Sequence, residues 1–145
     1  MVTGRFHNVG LISVLLADDN SFLLNRVAKM LEKNFDVVSI APDGSTALRE
    51  CERLHPNVVI LDISMGEPSG IDVARHLRDS GSDSRVIFLT VHEDPDFISA
   101  AIGAGGLAYV VKSRLRTDLL VGIEAALAGE LFISPTLMYD QNQQK

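Results

Sequence analysis

Short apolar runs alternate with longer stretches of helical spacing along almost the whole chain. Leu11–Ala17 (LISVLLA), Asp36–Ala41 (DVVSIA), Val58–Asp62 (VVILD), Arg85–Thr90 (RVIFLT) and Leu107–Val111 (LAYVV) are brief, apolar and mostly rich in β-branched residues, as strands buried on both faces must be. Between them, apolar residues recur at three and four positions. Leu23, Leu24, Val27, Met30 and Leu31 form the first such stripe, with Ser21 as its expected cap. Ala47, Leu48, Cys51 and Leu54 form the second, opened by Asp43-Gly44 and ended by Pro56. Ile71, Val73, Ala74 and Leu77 predict a third helix from about Ser69 to Ser80. A fourth begins at Pro95, which suits a first turn, and ends at Gly103, Gly105 and Gly106. The fifth carries Leu119, Leu120, Ile123 and Leu127, with Thr117 as the expected cap and Gly129 as its stop. Five strand–helix units in strict alternation predict a parallel sheet with helices on both faces and right-handed crossovers.

Composition narrows this picture without redirecting it. The 145 residues fit one domain that can bury a core without covalent staples. A net charge of −6 argues against a DNA- or RNA-binding surface on this chain, since phosphate backbones require a basic face. The single Cys51 excludes an internal disulfide and a cysteine-based zinc site, fits a reducing compartment, and reads as a small apolar filler on the second helix. No stretch approaches the roughly 20 apolar residues of a membrane span, and MVTGRFHNVG lacks the apolar region of a signal peptide. The expected location is cytoplasmic, away from membranes.

In parallel sheets of this kind, ligands bind beyond the carboxyl ends of the strands, where strand order reverses. Strand one ends in Asp18-Asp19, strand three in Asp62, strand four in Thr90 and strand five in Lys112. Strand two ends in Pro42-Asp43, a turn and a helix cap only. If the order is 2-1-3-4-5, strands one and three are neighbours and the three aspartates converge. Three adjacent carboxylates repel one another, and a divalent cation removes the conflict; all-oxygen ligation suits Mg²⁺. A lysine and a threonine have no use for a bare metal, but they suit an arriving anion with several oxygens, such as a phosphoryl group. A carboxylate can attack phosphorus, after which positioning and charge neutralisation do the rest.

Each residue has a plainer reading in isolation. Asp18-Asp19 can serve a helix N-terminus, Thr90 can be a strand former, Lys112 a solvated cation, and Tyr109 ordinary packing. Their joint placement at four strand ends favours the site. Gly103-Ala104-Gly105-Gly106 is not a dinucleotide fingerprint, because its glycines follow a helix and precede a strand. His92-Glu93-Asp94 reads as a polar loop, and His7, His55 and His76 form no constellation. Arg75 and Arg78, within Asp72–Asp79, read as a solvated helix face.

With Asp18-Asp19, Asp62, Thr90 and Lys112 at these ends and Tyr109 three residues before the lysine, Leu11–Glu130 resembles the receiver domain of bacterial two-component response regulators. YVVKS and AGELFISP narrow the resemblance to the NarL/FixJ type, whose receivers usually precede a LuxR-type helix-turn-helix. The resemblance implies a flavodoxin-like (βα)5 doubly wound parallel sheet in the order 2-1-3-4-5. It divides the chain into a tail at 1–10, a receiver at 11–130, and at 131–145 a C-terminal tail or the start of a linker to an output domain. It implies a phosphorylation-controlled switch rather than an enzyme, at most slowly phosphorylating itself from small donors and losing the group again. Asp62 would accept a phosphoryl group from a sensor histidine kinase. Mg²⁺ would be held by Asp19 directly, by Asp18 largely through water, and by Asp62 and the backbone carbonyl of Ser64. Lys112 would contact one phosphoryl oxygen and Thr90 another, after which Tyr109 would turn inward. The face formed by the fourth helix, fifth strand and fifth helix would then meet a partner or form a homodimer, with DNA reached only through an output domain. Val91 and His92 would line the pocket rim.

The chain departs from the family pattern at Gly66, where proline is common, with Pro68 two residues on; the loop through Gly66-Glu67-Pro68 should be more mobile or differently shaped. Val91 is bulkier than the alanine or serine usual there. Ser113 replaces a frequent proline, which leaves the isomer of the Lys112–Ser113 bond open. Two rivals stand beside the switch. One is a phosphorylation-independent interaction module that keeps the pocket. The other is a Mg²⁺-dependent haloacid-type phosphatase, opposed by the lack of an Asp-x-Asp pair and of room for a cap.

Overall fold

A computed structural model describes residues 11–135. Its strands are β1 (Ser13–Ala17), β2 (Asp36–Ala41), β3 (Val58–Leu61), β4 (Arg85–Thr90), β5 (Gly106–Val111) and β6 (Phe132–Ile133). They form one parallel sheet in the order β2-β1-β3-β4-β5-β6. Five helices connect them: α1 (Ser21–Leu31), α2 (Gly44–Leu54), α3 (Gly70–Asp79), α4 (Pro95–Gly103) and α5 (Leu115–Leu127), the last preceded by a 3-10 turn over Lys112–Arg114. The five expected strands and their order are present, with β6 added at the β5 edge.

Apolar residues on both faces of each central strand divide the core into two layers. Leu15, Val59, Leu61, Phe88 and Tyr109 pack against Ala47, Cys51, Val73, Ala74, Ile98 and Ala101, drawn from α2, α3 and α4. Val14, Leu16, Ile60, Ile87 and Val110 pack against Leu24, Val27 and Leu31 of α1 and Leu119, Ile123 and Ala126 of α5. Successive residues of a strand point to opposite faces, so one unbroken apolar run feeds both layers. Cys51 is buried in the first layer as expected, and burial pushes its thiol up to about 11.

Helix starts differ from expectation where a neighbouring group offered a better partner. Asn20, not Ser21, caps α1, because its side-chain oxygen accepts the Leu23 N–H at 3.1 Å. Thr117 does not cap α5, which begins two residues earlier; its hydroxyl turns back to the Arg114 carbonyl at 3.2 Å. Asp43 caps α2 as expected, and Ser69, where the third helix was expected to begin, instead caps α3, with a reciprocal bond between Asp72 and the Ser69 backbone. Past residue 130, where the domain was expected to end, Phe132 and Ile133 pair with Ala108 and Tyr109. Among the described residues, no helix is long and apolar enough to cross a membrane.

Candidate functional site

β1 lies between β2 and β3, so the sheet's winding reverses there and a crevice opens at the carboxyl ends of β1 and β3. The backbone sets both aspartates into it. Past the last paired residues, Ala17 and Leu61, the Asp18 N–H donates to the Ala41 carbonyl at 3.1 Å and the Asp62 N–H to the Ala17 carbonyl at 2.9 Å. Asn20 then fixes the Asp18 carboxylate by donating its backbone N–H at 2.9 Å. Asp18 and Asp62 are buried and Asp19 is exposed at the mouth. One oxygen from each of the three lies within 4.8 Å of the others.

Lys112 enters from the end of β5, and its ammonium sits 2.7 Å from Asp18 but 3.5 Å from Asp62. The short contact therefore goes to Asp18, leaving Asp62 the less compensated acid. Its Oδ1 is buried and accepts no hydrogen bond from the described protein. Burial, reinforced by the Asp18 charge and only partly offset by Lys112, pushes the Asp62 carboxyl up to about 6. Three carboxylates against one ammonium leave an excess of negative charge and an acceptor without a donor. Such a donor set fits a small oxygen-seeking cation.

Thr90 closes β4 fully buried, its hydroxyl accepting the His92 N–H at 3.2 Å. Tyr109 is also fully buried, and its hydroxyl donates to the His92 carbonyl at 2.8 Å. One loop residue thus bonds both Thr90 and Tyr109. The His92 ring stacks on Phe97 at 4.2 Å and meets the Ser64 hydroxyl at 2.6 Å, bridging the loops after β3 and β4. Val91 is 64% exposed beside it. Asp18, Asp19, Asp62 and Lys112 are thus brought together, while Ser64, Val91, His92, Thr90 and Tyr109 form the adjoining loop and strand-end layer.

The loop after β3 runs through a glycine in the left-handed region and a proline packed at the start of α2. Gly66 adopts φ +82°, the Glu67–Pro68 bond is cis, and Pro68 lies against Gly44 at the start of α2. It is the one cis bond among the described residues, so Lys112–Ser113 is trans. Gly70 matters more: its N–H donates to the Ile63 carbonyl at 2.9 Å, and a Cβ there would run into the Asp62 carbonyl. Gly70→Ala should therefore cost about 3 kcal/mol, by forcing backbone rather than a flexible side chain to move. Chemical denaturation measures this, and a loss under about 1 kcal/mol would show that the loop yields easily.

A wider cleft of about 940 Å³ opens between α2 and α3, lined in part by Cys51, His55, His76 and Asp83. It is built at the other end of the sheet and holds none of the converging acids.

A doubly wound α/β domain with an acidic crevice at its switch point is the class that fold and site define. Residues 14–124 match the family model described as response regulator receiver domain, and the chain belongs to that family. It is 33% identical over 132 residues to the transcriptional regulatory protein YvfU of Bacillus subtilis, covering 90% of this chain and 66% of that protein. Against a LuxR-family two-component response regulator from Aurantimonas sp. SI85-9A1 the structure superposes with a TM-score of 0.87 at 28% identity, covering 93% of this chain and 98% of that one. Against the isolated receiver domain of RcsB from Salmonella enterica serovar Typhimurium, solved with a phosphomimetic beryllofluoride, the TM-score is 0.81 at 25% identity, covering 90% and 98%. The chain spans 57–66% of the length of curated relatives such as YvfU. As a receiver it is a signalling domain, and solved structures similar to it include receivers of LuxR-family and NarL-type response regulators.

Proposed function

We propose that this receiver is a phosphorylation-controlled switch, working in the cytoplasm, that takes a phosphoryl group onto Asp62 from a sensor histidine kinase. One observation supports this above the others: Asp62 follows β3 with its buried Oδ1 satisfied by no group among the described residues, while its Oδ2 lies 3.5 Å from the Lys112 ammonium. The unsatisfied oxygen supplies the electron pair that bonds phosphorus, while the bond from phosphorus to the kinase histidine nitrogen breaks and its pair leaves with the nitrogen. Asp18, Asp19, Asp62 and the Ser64 backbone carbonyl would hold Mg²⁺, which supplies positive charge for the phosphoryl oxygens. Asp18 keeps Lys112 at the crevice, where its ammonium meets one of those oxygens.

Thr90 and Tyr109 form the switch. The Thr90 hydroxyl turns to a phosphoryl oxygen and releases the His92 N–H, and His92 also holds the Tyr109 hydroxyl. The change spreads across α4, β5 and α5, the face proposed to meet a partner or a second receiver. Any control of DNA would follow only through an output domain. The bias comes from contacts that exist only with the phosphoryl group present.

Intact mass after incubation with Mg²⁺ and a small phosphodonor tests the reading. Expected is a gain of one phosphoryl group that persists for minutes and is absent from Asp62→Asn. No gain, even with the cognate kinase, would leave an interaction module; rapid turnover of many phosphoesters would indicate a phosphatase.

A further inference from the structure

The end of the described chain is held more firmly than a two-residue strand requires. Ser134 is fully buried; its N–H donates to the Tyr109 carbonyl at 2.9 Å and its hydroxyl accepts the Val111 N–H at 3.1 Å. In a longer strand a backbone carbonyl would make that second bond. Here a side chain makes it, one residue before Pro135, which has no N–H to continue the ladder. The carboxylate of Asp118, in the first turn of α5, lies beside the same hydroxyl. Burial pushes that acid up, but hydrogen bonds from Arg114, Ser134 and Thr117 outweigh it and hold it below the usual carboxylate range. Arg114 grips it with two bonds, at 2.7 and 3.2 Å, and Asp118 is 4% exposed.

An apolar residue would suffice merely to cover the sheet edge. A buried, fully satisfied polar cluster instead fixes one register and resists any other. The register it fixes belongs to the strand end that carries both Tyr109 and, directly after Val111, Lys112. Ser134 thus holds β5 between the cation of the acidic crevice and the tyrosine bonded to His92.

We propose that Ser134, which shares a buried polar cluster with Asp118 and its partner Arg114, is a positioning residue for Lys112 and Tyr109, and that it couples the crevice to residues 131–135. The proposal rests on the phosphoryl-switch reading. Coupling is reciprocal: a ligand that shifts the β5 end changes the hold on residues 131–135, and loosening that hold changes the ligand's affinity.

The test uses the full chain as wild type, Ser134→Ala and Asp118→Asn, with Mg²⁺ and beryllofluoride as the probe. Amide hydrogen exchange is read over 107–112 and 131–135, alongside beryllofluoride affinity. Expected is a beryllofluoride-dependent change of exchange at 131–135 in wild type, lost in both variants. Val111 should exchange on the order of tenfold faster in Ser134→Ala, as loss of one hydrogen bond implies. Affinity should fall several-fold in both variants; a purely structural role would leave it unmoved. Equal affinity in all three proteins, with exchange at 131–135 indifferent to the probe while 62–70 becomes protected, overturns the coupling and leaves the switch intact. If the probe protects nothing in wild type, including 62–70, the switch reading falls and takes the coupling with it.

Discussion

Asp62→Asn should make the metal-free protein more stable, by about 3 kcal/mol near pH 7, although it removes the proposed phosphoryl acceptor. The cause is the buried carboxylate, whose pKa rises from 3.8 to about 6. An acid with a raised folded pKa holds its proton more tightly folded than unfolded. Its contribution is therefore most favourable below about 4, declines as pH rises to about 6, and stays low above that. The wild type should lose stability across that interval while Asp62→Asn does not. Glu50, lowered to about 2, and Asp118, also lowered, lose their contributions as pH falls and act mostly below the window of Asp62. At pH 7 the gain is on the order of 10 °C in melting temperature. Mg²⁺ should raise the wild-type melting temperature and have much less effect on the variant. Parallel pH profiles for the two proteins would refute the burial cost assigned to Asp62.

Lys112→Ala should act in the opposite direction. It leaves Asp18 and Asp62, both buried, with no ammonium paired to them among the described residues. Breaking a buried pair by removing one partner costs about 3 kcal/mol or more, because a charge remains without compensation. The loss should be greatest near pH 8 and shrink toward pH 5, as Asp62 takes up a proton more readily without its lysine. Millimolar Mg²⁺ should restore part of it. Urea denaturation at both pH values measures this, and a pH-independent loss would point to lost packing of the lysine stem instead.

The sheet was legible because its strands must be apolar on both faces, and a charged residue at the end of such a run stands out. Asp62 after Val58–Leu61 and Lys112 after Leu107–Val111 announce themselves in this way. What pairs with what was not legible. Lys112 takes Asp18 as its short contact through distances set by three strands at once, and no local pattern records that. β6 escaped for a different reason: two residues before Ser134-Pro135 are too few to show a period. Asp118 looks like any acid in a helix's first turn, and only burial beside Arg114 and Ser134 sets it apart. The two misplaced caps, Ser21 and Thr117, arose because several polar residues cluster at each helix start, and the backbone course decides among them.

The short strand β6 also has a bearing on how this domain behaves when handled alone. It shields Ala108 and Tyr109 on the outer side of β5, a strand of buried apolar residues that would otherwise be the sheet's terminal one. A chain cut at Glu130 would bare those N–H and C=O groups beside LAYVV, a segment rich in strand formers and free of charge. Such an edge is a template for adding strands from other molecules, so the cut that looks natural from the helix pattern would yield a self-associating receiver.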